Sequence, residues 1–308
     1  MKPNHLSPDT SNPTPSSRVH AVPELLHRIA EFLPWQSLMN LGYSDHHSRD
    51  IVQHVVKSSI KKYVMPFVNN YQDILDFFDL LKETGGVIAG LLPWSVMSNG
   101  DDNRKTPLLK EMDIYLPLAK RAFVKWTSFL ERIGYDRCRF RGISVADGHE
   151  YTRKSALSCK HTQKQTTITI TVSYSASVTP LIATASCTTM THILTPSHIL
   201  CFYPELYAKN VSIKQSNTPN TGRFPLALRE RDIILQETSS WGEPCGSVCP
   251  EYWRRSRGLP GVAIAYWGGF QQNATENKSA EDELGPTNLK WKWNATCRNG
   301  NCPNTNSV

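Results

Sequence analysis

"GGVIAGLLPWSVMSNGDDNRKTPLLKEMDIYLP", residues 85–117, reads as a short apolar strand, a small helix, a polar loop and a second strand that sets Asp113 between apolar neighbours. Two acidic residues one apart on a strand, here Glu111 and Asp113, can hold Mg²⁺ against a triphosphate when a glycine turn stands beside them. Strand, turn, helix and acidic strand in this order call for a sheet with helices packed on it.

Elements of matching type flank this stretch. Before it, Ile74, Leu75, Phe77, Phe78, Leu80 and Leu81 give a helix with a wide apolar face, and Gly85 suits its C-terminal cap. After it, "PLAKRAFVKWTSFLERIG" predicts an amphipathic helix that Pro117 starts and Gly134 ends, with Phe123, Trp126, Leu130 and Ile133 inward. "TTITITVSY" alternates strictly, with Ile168, Ile170 and Val172 on one face and Thr167, Thr169 and Thr171 on the other, as in a half-buried strand. "PLIATA" and "PSHILCFYP" predict short helices or turns, and "LALRERDIILQETSS" predicts a helix.

Upstream, "VPELLHRIAEFLPWQSLMNLGYSDHHSRDI" begins a helix at Pro23, follows helical spacing through Leu25, Leu26, Ile29 and Leu33, and breaks at Pro34. A second short helix carries Leu38 and Leu41, and a third, from about His47, lines up Ile51, Val55, Val56, Ile60 and Tyr63. Helices this short cannot bury their apolar faces alone. This segment resembles an F-box, with Val22 at the usual opening Leu and no Trp after Arg49. The resemblance implies a Skp-type adaptor of a cullin–RING ubiquitin ligase as partner. It would grip Pro23, Leu25, Leu26, Ile29, Leu33, Pro34 and Leu38, and the rest of the chain would choose an unknown target protein.

Residues 70 to 210 resemble the nucleotidyltransferase fold shared by DNA polymerase beta and nucleotide-adding enzymes. They are also similar to a group of fungal proteins with the same layout, including the Gly134-Tyr135 turn and a later Tyr203-Pro204. An active member needs a Gly-Ser turn, two acids one apart and a third acid on an adjacent strand, because two metal ions must be neutralised. Here Gly90 is followed by Leu91, 20 residues lie between Gly90 and Glu111, and "TTITITVSY" has no acid. Gly90, Glu111 and Asp113 thus read as a degenerate site, and the chain as a pseudoenzyme. The alternatives are a divergent Mg-dependent nucleotidyltransferase using Glu111 and Asp113, or a non-catalytic nucleotide- or RNA-binding module using Lys120, Arg121 and Lys125.

The C-terminal third holds two cysteine pairs, Cys245/Cys249 and Cys297/Cys302, each followed by a proline. Two such pairs can make a tetrahedral zinc site, although both spacings are wider than the usual knuckle. No other cofactor is expected.

The expected class is α+β, divided into a disordered tail (1–18), an F-box-like helical module (19–65), a nucleotidyltransferase-like domain (66–215) and an irregular Cys/Trp-rich region (216–308) with a disordered segment near 271–288. The chain of 308 residues is 39% hydrophobic and 9% aromatic, enough for a real core. Its net charge of +7 comes from scattered basic residues, which argues against a nucleic-acid partner. No apolar run is long enough to span a membrane, and the polar start has no signal core. Eight cysteines then read as reduced thiols or metal ligands, in the cytoplasm or nucleus.

Overall fold

Proline and capping residues set the first helices. In the computed structural model, which describes residues 22–98, 109–119, 121–141, 153–215, 224–237, 246–270, 278–293, 297 and 299–304, α1 spans Pro23–Phe32 with Pro23 in its first turn. Helix α2 is Trp35–Ser44 and α3 is His46–Val64. Asp45 caps α3, its carboxylate accepting the Ser48 N–H at 2.8 Å. The expected stripe of α3 (Ile51, Val55, Val56, Ile60, Tyr63) is buried, together with Leu26 and Ala30 of α1 and Leu38 of α2.

Helix α4 (Tyr71–Thr84) starts at Asn70, whose side chain accepts the Asp73 N–H, and ends at Gly85 in the left-handed region (φ 64°). Then come β1 (Val87–Ala89), α5 (Leu91–Met97), β2 (Glu111–Leu116), α6 (Ala122–Arg132), β3 (Tyr135–Arg141), β4 (Arg153–His161) and β5 (Thr167–Ser173). They are followed by α7 (Thr179–Ala183), β6 (Ile193–Leu194), β7 (His198–Cys201), α8 (Pro204–Ala208), β8 (Val211–Lys214), α9 (Phe224–Arg229) and β9 (Ile234–Glu237). The last elements are β10 (Arg254–Arg255), β11 (Ala263–Tyr266), α10 (Ala280–Glu283) and β12 (Lys290–Trp291).

The chain is α+β, with its helical region ahead of a mixed eight-stranded sheet ordered β11-β7-β6-β1-β2-β5-β4-β3. Strands β2 and β5 run parallel, with Asp113 opposite Thr169, and the other neighbours in this sheet are antiparallel. Met112, Ile114 and Leu116 join Ile168, Ile170 and Val172 in one apolar cluster with Phe77 and Leu81 of α4 and Trp126 and Leu130 of α6. Phe77 and Trp126 meet edge to face with centroids 5.3 Å apart. The cluster is continuous with Leu26, Trp35 and Ile60, so the first three helices share the core of the sheet. The Ser59 hydroxyl fixes α3 to α5 by donating to the Val96 carbonyl.

Several expectations are corrected. Helix α6 begins at Ala122, not Pro117: the Leu118 N–H bonds to the Ser175 carbonyl, and Arg121 takes a left-handed φ of 67° just before the helix. "PSHILCFYP" contains β7, a buried strand between β6 and β11, because four consecutive buried residues there satisfy their backbone groups on both sides. "LALRERDIILQETSS" is split: α9 ends at Arg229, Asp232 adopts φ 54°, and β9 pairs in parallel with β8. The segment expected to be disordered is ordered from residue 278. Ser279 and Asp282 form a capping box on α10, and Ala280 and Leu284 are buried. The remainder of that segment, 271–277, lies outside the described residues, as do the tail 1–18 and most of the loop after α5. The sheet takes its outer strand β11 from within the C-terminal third.

Trp126 ties α6 to α4 by packing and by donating its indole N–H to the Thr84 hydroxyl at 3.1 Å. Trp126→Ala is expected to cost about 3–5 kcal/mol, the range for truncating a buried aromatic. Urea denaturation should show the midpoint falling with an unchanged slope.

Candidate functional site

Antiparallel pairing of β1 with β2 sets Ala89 opposite Asp113, which places the following Gly90 beside that carboxylate. Gly90 has φ 83° and ψ −136°, a conformation that glycine alone adopts readily. A Cβ on Gly90 would lie 3.3 Å from Asp113 Oδ2 and 2.9 Å from Met190 Cε. The glycine turn and the acid do converge, and a thioether methyl stands over the same turn.

The covering segment is the 3₁₀ turn Thr188–Thr191 and the residue after it, His192. The His192 carbonyl accepts the Gly90 N–H at 3.2 Å, so that amide is turned to protein and not to a phosphate. The His192 ring is buried against Tyr207 at 5.9 Å. Its Nδ1–H donates to the Thr189 carbonyl, leaving Nε2 unprotonated and without a hydrogen-bond partner among the described residues. Burial pushes its pKa down to about 4, which keeps the ring neutral at physiological pH. Beneath the turn, α5 buries Leu92, Trp94, Val96 and Met97.

Glu111 is exposed at the start of β2 and Asp113 is half-buried. Parallel register sets Thr167 and Thr169 beside them on β5, where an active site would need its third carboxylate. Among the described residues, no group of three potential metal ligands includes Glu111 or Asp113. A hard cation asks for several charged oxygens. The thioether of Met190, which stands over the Gly90 turn, supplies none. Neither Met190 nor His192 was marked by a local sequence signal.

The helical surface is divided between the two sides of α1. Leu25, Ile29 and Phe32 project outward with Val22 before them, being 51%, 45%, 55% and 39% exposed. Pro23 and Pro34 are also exposed, whereas Leu26 and Leu38 point inward and Leu33 is half-buried against the core. The inward set packs in the cluster shared with α3, which removes it from any docking face. Of the basic positions singled out, Arg121 is exposed, Lys125 is paired with Glu83, and Lys120 lies outside the described residues.

Cys138 and Cys159 correct the expectation of wholly reduced thiols. They stand opposite each other on β3 and β4, 4.0 Å apart at Cα, and form a disulfide. Twenty-one residues separate them in sequence, and only the strand register makes them neighbours. A disulfide persists best in an oxidising compartment, so this pair weighs against the cytoplasmic or nuclear placement. Cys249, Cys297 and Cys302 are brought together, while Cys245 lies outside the described residues. Comparison with protein-family models, curated proteins and solved structures gave no significant match.

Gly90→Ala is expected to destabilise the protein by about 1–3 kcal/mol, since the new methyl meets Met190 and the backbone becomes strained. Adding Met190→Ala should relieve the steric part alone. A double-mutant cycle by chemical denaturation measures that coupling.

Proposed function

We propose that the chain is a non-catalytic F-box-like adaptor. Its first three helices dock on the Skp-type subunit of a cullin–RING ubiquitin ligase, and the sheet-bearing body receives the target protein. The observation that carries this reading is the outer stripe of α1. Val22, Leu25, Ile29 and Phe32 leave large apolar side chains in water on one side of a helix whose other side is already satisfied by the core. Lone exposed apolar residues are common on protein surfaces, whereas contiguous stripes mark interaction sites. A helix presenting such anchors binds by laying them into a groove of its partner. The filled glycine turn supports the non-catalytic half of the proposal. Partnership with the ligase would require a cytoplasmic or nuclear protein, and the Cys138–Cys159 disulfide counts against that placement. Among the described residues no helix is long and apolar enough to cross a membrane.

The test uses the full chain with purified Skp-type adaptor. Wild type should be retained on immobilised adaptor, and Leu25→Asp/Ile29→Asp should bind ~30-fold or more weakly, as expected when anchors worth about 2 kcal/mol or more are lost. Both residues are exposed, so the variant's unfolding midpoint should stay near that of wild type. Equal recovery of the two proteins would sink the adaptor reading.

One observation favours a second reading, a divergent Mg-dependent nucleotidyltransferase: the approach of Asp113 to the Gly90 turn. Incubation with labelled ATP, CTP and UTP and either Mg²⁺ or Mn²⁺ separates the two. The expected result is no incorporation. Incorporation that disappears in Asp113→Ala would establish the enzyme and overturn the pseudoenzyme.

A further inference from the structure

We propose that Cys249, Cys297 and Cys302 bind one zinc ion, which staples the turn around residues 246–252 to the stretch 297–304. This site is independent of the adaptor surface on α1.

The local structure presents the sulfurs from two turns. The Cys249 N–H bonds to the Gly246 carbonyl and the Tyr252 N–H to the Cys249 carbonyl, while the Cys302 N–H bonds to the Asn299 carbonyl. All three side chains are buried, and their ligand atoms lie within 4.8 Å of one another. Cys249 Sγ and Cys302 Sγ are 3.6 Å apart. That is too far for a disulfide, whose sulfurs sit at about 2.05 Å. It is close to the ~3.8 Å edge of a tetrahedron with ligands at ~2.3 Å, the Zn–S distance.

Packing alone does not account for the cluster. The three cysteines make their own small core with Tyr252 as the partly buried neighbour. The segments nearest the cysteines pair as the two-residue strands β10 and β12. Val248, Trp291 and Trp293 of the same segments pack into a different cluster with Phe202 and Tyr203, so the sulfurs stand as a group of their own. A disulfide would use two of the sulfurs and leave the third, whereas a metal uses them all.

Charge supplies a second observation. The Arg254 guanidinium is buried, lies over the Tyr203 ring at 4.1 Å, and donates to the carbonyls of Ser247 and Tyr252, which bracket Cys249 in sequence. Among the described residues it forms no ion pair with a carboxylate. A buried cation is costly without an opposite charge. Zinc entering as Zn²⁺ displaces three thiol protons, and the resulting tris-thiolate complex carries a net charge of −1, opposite in sign to the guanidinium bonded to the Cys249 turn. Soft sulfur ligands select zinc over Mg²⁺ or Ca²⁺. Structural zinc takes a fourth ligand besides these three sulfurs.

The staple also matters beyond its own turns. Residues 250–296, which it closes, contain β11 at the edge of the main sheet and α10. Glu283 of α10 accepts from the Ser197 hydroxyl at 2.8 Å and meets His198 Nδ1 at 2.8 Å, tying that excursion back to β7.

The experiment uses the full chain purified under reducing conditions. Elemental analysis should find about one zinc per chain, and X-ray absorption should find three or more sulfurs at ~2.3 Å. Cys302→Ser should lose at least half of the zinc. Chelation of wild type should raise amide exchange in 246–256 and 289–293, which needs no variant to fold. Less than about 0.2 zinc per chain, a different metal, or fewer than three sulfur ligands would overturn the proposal. So would a Cys249–Cys302 disulfide found by mass spectrometry in the purified protein.

Discussion

Parallel pairing of β2 with β5 is the constraint on which the other elements depend. Two parallel strands cannot be joined by a tight turn, so the chain must leave β2, cross over, and return. Residues 117–166 make that crossing with α6 and the β3–β4 pair, and β4 then hydrogen-bonds to the far side of β5. Alternation along both strands gives the sheet one apolar face at Met112, Ile114, Leu116, Ile168, Ile170 and Val172, and α4 and α6 cover it. The opposite alternation leaves Glu111, Asp113, Thr167 and Thr169 together on the other face. Structure and candidate chemistry are two sides of one register.

The close approach of Asp113 to Gly90 follows from strand pairing, which the core stabilises whether or not a metal binds. On β5 the positions beside Glu111 and Asp113 are Thr167 and Thr169, residue types well suited to a strand. Met190 stands over the turn, and the His192 carbonyl takes the Gly90 N–H.

The helical surface carries a different balance. Leu26 and Ala30 anchor α1 to the shared core, and this anchoring frees Leu25, Ile29 and Phe32 to face outward without melting the helix. A preformed helix pays less ordering entropy when it meets a partner than a segment that folds on binding. At the other end of the chain, Val248, Leu259, Trp291 and Trp293 pack with Phe202 and Tyr203 in a second apolar cluster, and the three sulfurs form a small one of their own.

The local chemistry of the sequence determined the helices and the central strands. Pro23, Pro34, Gly85 and the strict alternation of "TTITITVSY" act within a few residues of themselves, so their effect is legible without a fold. The same holds for the absence of an acid in β5. The start of α6, the strand β7 and the split of α9 from β9 were decided elsewhere, because each depends on a backbone partner far away in sequence: Ser175, the neighbours β6 and β11, and β8. Leu25 and Leu26 are adjacent and equally apolar, yet only packing against α3 says which one faces water. Met190 over Gly90, Cys138 against Cys159, and Cys249 beside Cys302 are meetings across 100, 21 and 53 residues. Tertiary structure alone made them, since side-chain contact over such separations is set by sheet register and loop closure, which no local pattern encodes.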